Sequence, residues 1–195
     1  CWEKQFDLCL ALHTEAVNAA FLNTQFEEMD RLADIVLGHT KTPLDQVRVY
    51  EAKIGAFQAQ NNMTEALNTA LQILKQLGVR FPENPTILHA TASFMKTALS
   101  MLGRKTEDLI HLPWMKDAKM SAVMRILANA SSTASKSNPF LFILMVTQVV
   151  KITLKYGRAP ETSFWLVGYG LTLNAILSGM NALIEVGINA GYKYG

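Results

Sequence analysis

NTQFEEMDRLADIVL at residues 23–37 and QNNMTEALNTALQIL at residues 60–74 share one pattern of apolar and small side chains. Met63 lies 37 positions after Phe26, and at that offset the two stretches can be compared residue by residue. The coinciding positions are Val17/Ile54, Ala19/Ala56, Met29/Ala66, Ala33/Ala70, Val36/Ile73 and Leu37/Leu74. A unit of two helices and a turn therefore recurs. Because one hairpin cannot bury its apolar side alone, the recurrence predicts hairpins stacked in a row.

Glycine and proline divide the remaining chain into segments with the apolar spacing of helices. Helix starts are predicted at Thr42-Pro43-Leu44-Asp45, Asn84-Pro85, Asn138-Pro139 and Pro160-Glu161. Helix ends are predicted at Gly38, Gly78, Gly103 and Gly157. In the first helix, from residue 6 to 22, the predicted apolar face consists of Leu8, Leu12, Ala16, Ala19 and Ala20. Strand signals are almost absent, so the fold class is all-α.

The predicted architecture is an α-solenoid of antiparallel helix hairpins, forming a tetratricopeptide-like superhelix in a single domain over residues 1–195. The observed period is close to the roughly 34-residue tetratricopeptide unit, although the Trp and Leu-Gly landmarks of that unit are not evident. A third, looser copy is predicted around residues 103–109. The units are expected to be more regular over residues 1–110 and more apolar and irregular over 111–195, with a break at 112–115. The alternative is an ordinary helical bundle, which also shows some similarity at hairpin spacing.

Composition excludes several classes of function. The formal net charge of +2 over 195 residues gives no support for nucleic-acid binding. Cys1 and Cys9 are too few for a disulfide framework, so a reducing, cytoplasmic location is expected. The first residues show no basic region followed by a small-residue cleavage site, so secretion is not expected. The chain begins without Met and inside a predicted helix, and we therefore expect it to be a piece of a longer protein.

Residues 139–195 carry only six of the 34 charged side chains, which raises the question of a membrane span. The run FLFILMV at 140–146 is too short to cross a bilayer, which needs about 20 apolar residues. The uncharged stretch 165–184 is long enough, but it contains Asn174, Ser178 and Asn181. We expect a buried pair of helices here rather than a membrane span.

Five motifs in order resemble one family. They are DQVRVYEAKIGAFQAQNNMTEALNTALQILKQLGVRFPENP (45–85), GRKTEDLIHLPWM (103–115), MSAVMRILANASSTAS (120–135), NPFLFILMVTQVVKITLKYGRAP (138–160), and YGL (169–171) followed by GYKYG (191–195). The chain is similar to the helical-repeat region of large multidomain signalling proteins. These combine a serine/threonine-kinase-like domain, an AAA-type ATPase, a tetratricopeptide-like region, a GAF sensor and often a histidine kinase. The stretch between 171 and 191 is longer than is usual in that family, which leaves the helix boundaries there open.

The resemblance implies a non-catalytic module that couples signals and binds partners. Its concave helical surface would bind protein or peptide partners, or neighbouring domains of the same chain, and the ATPase and kinase chemistry of the parent would lie outside it. No cofactor is implied. The alternative function is a small-molecule sensor with an apolar pocket between the C-terminal helices. A helical enzyme has little support, because residues 139–195 offer few ionisable groups. Exposed apolar ends also predict self-association through residues 160–195.

No catalytic, cofactor-binding or metal-binding residue is assigned from the sequence. Cys9 and His13 have the spacing of half a zinc site, but no second pair accompanies them among His39, His89 and His111. Gly103-Arg104-Lys105-Thr106 is a weak match to the end of a phosphate loop, since Ala98 stands where a glycine is required.

The charged clusters have ordinary structural interpretations. A group of acidic residues near one predicted helix start favours the helix dipole: Glu27, Glu28, Asp30 and Asp34. Lys151, Lys155 and Arg158 lie near a helix end, where they either complement the dipole or bind an acidic partner. Of the tryptophans Trp2, Trp114 and Trp165, the expectation is that Trp114 is the exposed one.

Overall fold

The computed structural model describes residues 2–103, 111–163, 165–171, 174 and 178, and this part of the chain is all-helical. Within it the only strand-like feature is an isolated bridge between Trp114 and Arg158. Residues 165–171 are helical as well. The named helices are α1 Phe6–Leu22, α2 Phe26–His39, α3 Pro43–Ala59, α4 Met63–Gln76, α5 Ile87–Met101, α6 Ala118–Ser137 and α7 Pro139–Tyr156.

Local capping chemistry sets most of these boundaries. The Thr42 hydroxyl accepts from the Asp45 amide at 3.3 Å, and the Asp45 carboxylate accepts from the Thr42 amide at 2.8 Å, which confirms the predicted capping box of α3. Asn138 ends α6 and begins α7, and its side chain accepts from the Leu141 amide at 3.0 Å. The predicted start at Asn138-Pro139 is thereby confirmed.

Glycine ends two of the described helices as the sequence predicted. Gly78 has φ +86°, and the Val79 amide donates to the Leu74 carbonyl at 2.8 Å, which is the Schellman closure of α4. Gly157 has φ +99° at the end of α7. Gly103, with φ +79°, lies two residues after Met101, the last residue of α5.

Two predicted boundaries are wrong. Gly38 lies inside the last turn of α2, which continues to His39 and is followed by the extended Thr40. Asn84-Pro85 does not begin α5: Thr86 is its N-cap, and the side chains of Thr86 and His89 form the capping box. In both cases a nearby residue, Thr40 or Thr86, takes the extended conformation that ends or starts the helix.

The 37-residue offset holds for the helix boundaries themselves. α1 and α3 both have 17 residues, and α2 and α4 both have 14, with each start displaced by 37 positions. The turns match too: Thr24 and Asn61 each have φ 58°. Around them the backbone bonds Asn23 N–H to Ala19 O and Gln60 N–H to Ala56 O are both 3.0 Å long. The repeat predicted from side chains is therefore also a repeat of the backbone.

The helices pack in a regular order, with one exception. α1 packs on α2 and α3, α2 on α3, and α3 on α4. Both α3 and α4 then pack on α6, and α6 packs on α7. α5, although it follows α4 in the chain, packs against α7. The turn of the predicted third copy, at residues 103–109, lies almost wholly outside the described residues, so that copy stays a prediction.

The main core joins α3, α4, α6 and α7. Ile54, Ile73, Leu127 and Met145 are each 0% exposed in it. Trp165 is 1% exposed against the same core, so it is a packing residue. A smaller cluster lies between the first hairpin and α3, and it contains Val17, Ala20, Met29, Ala33, Val36, Val49, Ala52 and Ala56.

The predicted apolar face of α1 is wrong in part. Leu8 and Leu12 are 51% and 60% exposed, and Ala19 is exposed too. The buried face of α1 is formed instead by Cys9, Thr14, Val17 and Ala20. Both faces are apolar enough to satisfy the helical period, and the sequence alone did not say which one would meet a neighbour.

One described helix, Pro139–Tyr156, has the length and apolar composition of a membrane span. Half of that window is buried within the protein, where α7 packs against α5 and α6. A core helix meets the same criteria of length and composition, so this property is weak evidence for a span. The predicted self-association surface and the open boundaries at 172–190 fall largely outside the described residues.

Candidate functional site

A groove of about 630 Å³ runs between α4, the segment that follows it and the turn between α6 and α7. We call it the α4 groove. Its apolar lining comes from the partly buried Leu67, Leu71 and Phe81 and the buried Leu141. A volume of this size falls in the range of small-molecule and peptide sites, which are about 300–1,000 Å³.

Charged side chains border the α4 groove. Lys75 on α4 and Arg80 on the following segment are exposed, and Glu83 is the acidic residue of the lining. Among the residues that the structure describes, neither Lys75 nor Arg80 forms an ion pair. Two cations that form no ion pair within the described part of the chain, beside an apolar floor, can attract a ligand that carries both carboxylate and apolar groups.

The sequence places these groups through the end of α4. Gly78 turns the chain in its left-handed conformation, and Val79 is 7% exposed, which anchors the segment in the core. Arg80 and Phe81 follow at once and therefore lie over the side of α4. Pro82 and Pro85 limit the backbone freedom of the rest of the segment. The α4 groove is accordingly built by an anchored, stiff segment.

A second surface is formed by the first helix of each hairpin, α1, α3 and α6. Glu15 pairs with Arg48 at 3.0 Å between α1 and α3, and Glu51 pairs with Arg125 at 2.8 Å between α3 and α6. The Gln58 amide donates to the Asn129 carbonyl at 2.8 Å in the same line. In each of these contacts a polar group on one helix is bonded to a polar group on the next. The contacts therefore hold the three helices in register.

A partly buried polar cluster joins α5 to α7. The Lys151 ammonium donates to the Ser93 hydroxyl at 3.0 Å, and that hydroxyl lies 2.8 Å from the Thr147 hydroxyl. Burial lowers the pKa of Lys151, and the positive charge of Lys96 lowers it further. A serine beside a lysine occurs in some nucleophilic enzymes. Here both residues lie inside helices, where backbone amides bond within the helix and cannot form an oxyanion hole.

The histidines and Cys9 occupy structural positions. His13 Nδ1 lies 2.8 Å from the Cys9 carbonyl oxygen. The Cys9 sulfur is bonded in a disulfide, which the expectation of a reducing location did not predict. His39 Nδ1 lies 2.7 Å from the Ile35 carbonyl oxygen. His89 caps α5, and His111 is exposed in a turn. Within the described residues no group of three or more His, Cys, Asp or Glu side chains could hold a metal ion.

The acidic cluster of α2 is dispersed among separate partners. Glu28 accepts from Arg31 at 2.6 Å, and the hydrogen bond from Arg31 lowers the pKa of this exposed carboxyl. Asp30 pairs with Lys53 at 2.9 Å. The cluster therefore serves the helix start and the packing of α2 on α3, and its carboxylates do not share one site.

The predicted basic group near the end of α7 is also dispersed. Lys151 points to Ser93, whereas the Lys155 ammonium lies 4.8 Å from the centre of the Tyr156 ring. The Arg158 guanidinium stacks over the Trp114 ring at 4.4 Å. These three cations therefore do not form one patch for an acidic partner.

The three tryptophans differ in their surroundings. Trp114 is 59% exposed, as the sequence predicted. Trp2 is half-buried and stacks on His39 with 4.5 Å between ring centres. Of the weak phosphate-loop match, Arg104, Lys105 and Thr106 lie outside the described residues. The sensor pocket expected between the C-terminal helices also falls largely outside them.

Sequence reasoning missed the α4 groove and the Ser93–Lys151 pair. For the groove a signal existed in the order Gly78, Arg80, Phe81, Pro82, which places a cation and an aromatic ring on a stiff segment after a helix end. The part contributed by Asn138 and Leu141 was not predictable, because it depends on α6 and α7 packing beside α4.

Comparison with known proteins gives no relative: no family model matches the chain, and neither a curated protein nor a solved structure is similar to it at a significant level.

Proposed function

We propose that this chain is a non-catalytic helical-repeat module that binds protein or peptide partners, or neighbouring domains of a longer polypeptide. In this proposal the hairpins α1/α2, α3/α4 and α6/α7 form a short tetratricopeptide-like solenoid. The observation that carries it is the packing order: the first helix of each hairpin packs on the first helix of the next, and the second helix packs on the same neighbour. Such stacks present extended surfaces for docking.

The α4 groove is the surface that best suits a partner. Its floor is apolar at Leu67 and Leu71, and Lys75 and Arg80 stand at its edge. The chemistry favours a peptide segment with acidic residues beside a large apolar side chain, because the cations attract the carboxylates and the floor buries the apolar group. A partner bound here would contact two successive hairpins at once.

Binding across two hairpins would also couple partner binding to the relative position of these hairpins. The α4 groove is lined by α4 from one hairpin and by the start of α7 from another. A partner that fits one relative position of these helices better than another shifts the population towards that position. In a multidomain signalling ATPase, which the sequence resembles, such a shift would transmit the bound state to an adjacent nucleotide-binding domain.

Selection of binders from a peptide-display library tests the proposal. We expect selected peptides to be acidic and to contain an aromatic or aliphatic residue, and to bind the purified chain in fluorescence anisotropy titrations. The double variant Lys75→Glu/Arg80→Glu should weaken the selected peptides by at least about tenfold, since it places like charges against the peptide.

The matched control is Lys4→Glu/Lys41→Glu, which changes the net charge equally at exposed positions near the start of α1 and before α3. Its affinity for the peptides should stay within about twofold of the parent chain. A library that yields no binder, or binders that respond equally to the two double variants, would contradict the assignment of the α4 groove.

A further inference from the structure

The two N-terminal hairpins are equivalent closely enough to compare the surroundings of single positions. α1 and α3 begin 37 residues apart, as do α2 and α4, and the left-handed turn residues Thr24 and Asn61 have the same φ of 58°. Each α3 residue therefore has an α1 counterpart in the same place within its own hairpin. A difference in burial between counterparts then reports what one hairpin touches and the other does not.

The face of α3 that contacts the first hairpin is buried. Val49, Ala52 and Ala56 are 0%, 3% and 2% exposed, and they pack in one cluster with residues of both α1 and α2. This face is small and apolar, which lets α3 approach the preceding hairpin closely.

The same face of α1 is open. The counterparts of the three α3 residues are Leu12, Glu15 and Ala19, and all three are exposed, with Leu12 at 60%. Leu8, one helical turn before Leu12, is 51% exposed. Glu15 is paired with Arg48 of α3, and we therefore call the other three residues, Leu8, Leu12 and Ala19, the α1 outer face. A single exposed leucine needs no explanation, but this face carries apolar groups at the positions that α3 buries against a hairpin.

From this equivalence we propose that the α1 outer face is a hairpin-binding surface, occupied by a further helical hairpin that precedes α1 in the same polypeptide. This goes beyond the partner-binding role of the α4 groove, because it concerns a different surface, on the first helix of the stack. The spacing is consistent with a covalent neighbour: displaced by 37 residues, the second helix of such a hairpin would end at Trp2. Residues 3–5 would then correspond to the three-residue link 40–42 that joins α2 to α3.

The shape of the surface sets a requirement on the occupant. At Gly55 on α3 the Phe21 ring of the first hairpin comes so close that an added Cβ would lie 2.7 Å from the ring. The α1 counterpart of Gly55 is Asn18, which fills this space with a side chain. A hairpin with phenylalanine at the position of Phe21 would therefore clash. A hairpin with the flexible Gln58 there, as in the second unit, can move aside.

The test adds a hairpin of defined sequence to the full chain. Residues 43–76 followed by the link Thr40-Lys41-Thr42, 37 residues in total, are fused ahead of Phe6 in place of residues 1–5. Both the extended chain and the parent chain carry Cys9→Ala, so that the Cys9 disulfide is absent from both and does not contribute to their difference. Thr42 then takes the N-cap position of α1, as it does for α3. We expect one cooperative unfolding transition with a Tm higher by several degrees, and amide exchange in α1 slower by at least about tenfold.

Leu12→Asp is the decisive variant. In the parent chain it changes an exposed residue and should move the Tm by no more than about 2 °C. In the extended chain it places a carboxylate in the new contact and should reverse the added protection of α1. Asp34→Asn, which changes an exposed residue of α2 away from this face, should have the same small effect in both chains.

A second extension carries residues 6–42, with Phe21, in the same place. We expect it to protect the α1 amides from exchange less than the first extension does. Asn18→Gly should bring this protection up to that of the first extension. Equal effects of Leu12→Asp in the parent and extended chains, or separate unfolding of the added hairpin, would overturn the proposal. Self-association of the parent chain that Leu12→Asp abolishes would also overturn it, because it would assign the face to a second copy. None of these outcomes affects peptide binding at the α4 groove.

Discussion

The first four helices and the rest of the described chain are organised differently. α1 to α4 repeat to the residue, with two hairpins of the same helix lengths, and each is joined by short turns. After α4 the order in the chain and the order in space separate, because α6 packs next to α4 while α5 packs against α7. The chain between α4 and α6 is about one repeat unit long.

The difference shows two ways of extending a helical stack. In the first region each turn is a local device, with the left-handed Thr24 or Asn61 between helices that face each other. In the second, the long connection is held by contacts between distant residues: the Met115 amide donates to the Arg158 carbonyl at 2.8 Å, and the Arg158 amide donates to the Pro113 carbonyl at 2.9 Å. The first region is therefore specified by neighbouring residues, whereas the second depends on closure between remote ones.

The largest expected effect comes from Gly157→Ala, which should break this closure. Gly157 has φ +99°, and an added Cβ would meet the Pro113 carbonyl oxygen. Strained backbone and a contact that cannot relax should together lower the free energy of unfolding by about 2–4 kcal/mol. Urea denaturation measures the loss, and amide exchange should show it in α7 before α1.

Gly38→Ala is the matched control for this prediction. Gly38 lies within α2, and an added Cβ would meet nothing within 4 Å. Alanine favours helix, so this variant should gain about 0.5–1 kcal/mol. A loss at Gly157 no larger than about 0.5 kcal/mol would contradict the role given to the closure.

A smaller effect should separate the two ion pairs that join the first helices of successive hairpins. The Glu51 side chain is 19% exposed in its pair with Arg125, whereas Glu15 is 67% exposed in its pair with Arg48. A double-mutant cycle with alanine at both positions should give a coupling energy of about 1 kcal/mol for Glu51–Arg125, because it is shielded from water. The same cycle for Glu15–Arg48 should give less than about 0.5 kcal/mol. Equal couplings would remove this distinction between the inner and outer contacts of α3.

The smallest effect concerns Lys151 and is visible in its pH dependence. Because the folded state lowers the pKa of Lys151, the unfolded chain binds more protons between the lowered pKa and the ordinary value of 10.5. The contribution of Lys151 to stability therefore rises with pH in that interval. Lys151→Met should exceed the parent chain in stability by less than about 1 kcal/mol at pH 7, and this gap should narrow towards pH 10.

The comparison of the two proteins at each pH cancels the effect of Tyr169, whose pKa burial raises and which lowers stability as pH rises through 10. Lys155→Met, at an exposed position of the same helix, shows whether loss of a lysine from α7 alone changes stability at pH 7. A gap between Lys151→Met and the parent that widens with pH would reverse the sign argued here.

Much of the first region could be predicted from sequence because its signals are local. The bounds of α1, the capping box at Thr42 and Asp45, and the offset that joins Phe26 to Met63 all depend on residues within one hairpin or its neighbour. The helix end at Gly78 is equally local. In each case capping chemistry and apolar period agree, and the structure follows both.

The errors arise where two local solutions compete or where a remote contact decides. Thr86 was preferred to Asn84 as the cap of α5 because its hydroxyl and His89 complete a capping box. Leu12 was expected in a core, but the interior face of α1 is the one that meets α3. The α4 groove needs Leu141 beside Leu67 of α4. These two residues are 74 positions apart in the chain, and no local sequence signal predicts that they lie close together.

The bond from Gln58 to the Thr133 hydroxyl, 3.1 Å long, connects residues 75 positions apart. Its contact closes a loop that contains the whole of α5 and both its connections. The free-energy cost of closing a loop rises by only about 0.6 kcal/mol for each doubling of its length, so this long loop reduces the stability of the fold only slightly. The effect on the folding rate is larger, because contacts between residues far apart in the chain form late in folding. The order of assembly should therefore begin with the two N-terminal hairpins, onto which α6 and α7 condense afterwards.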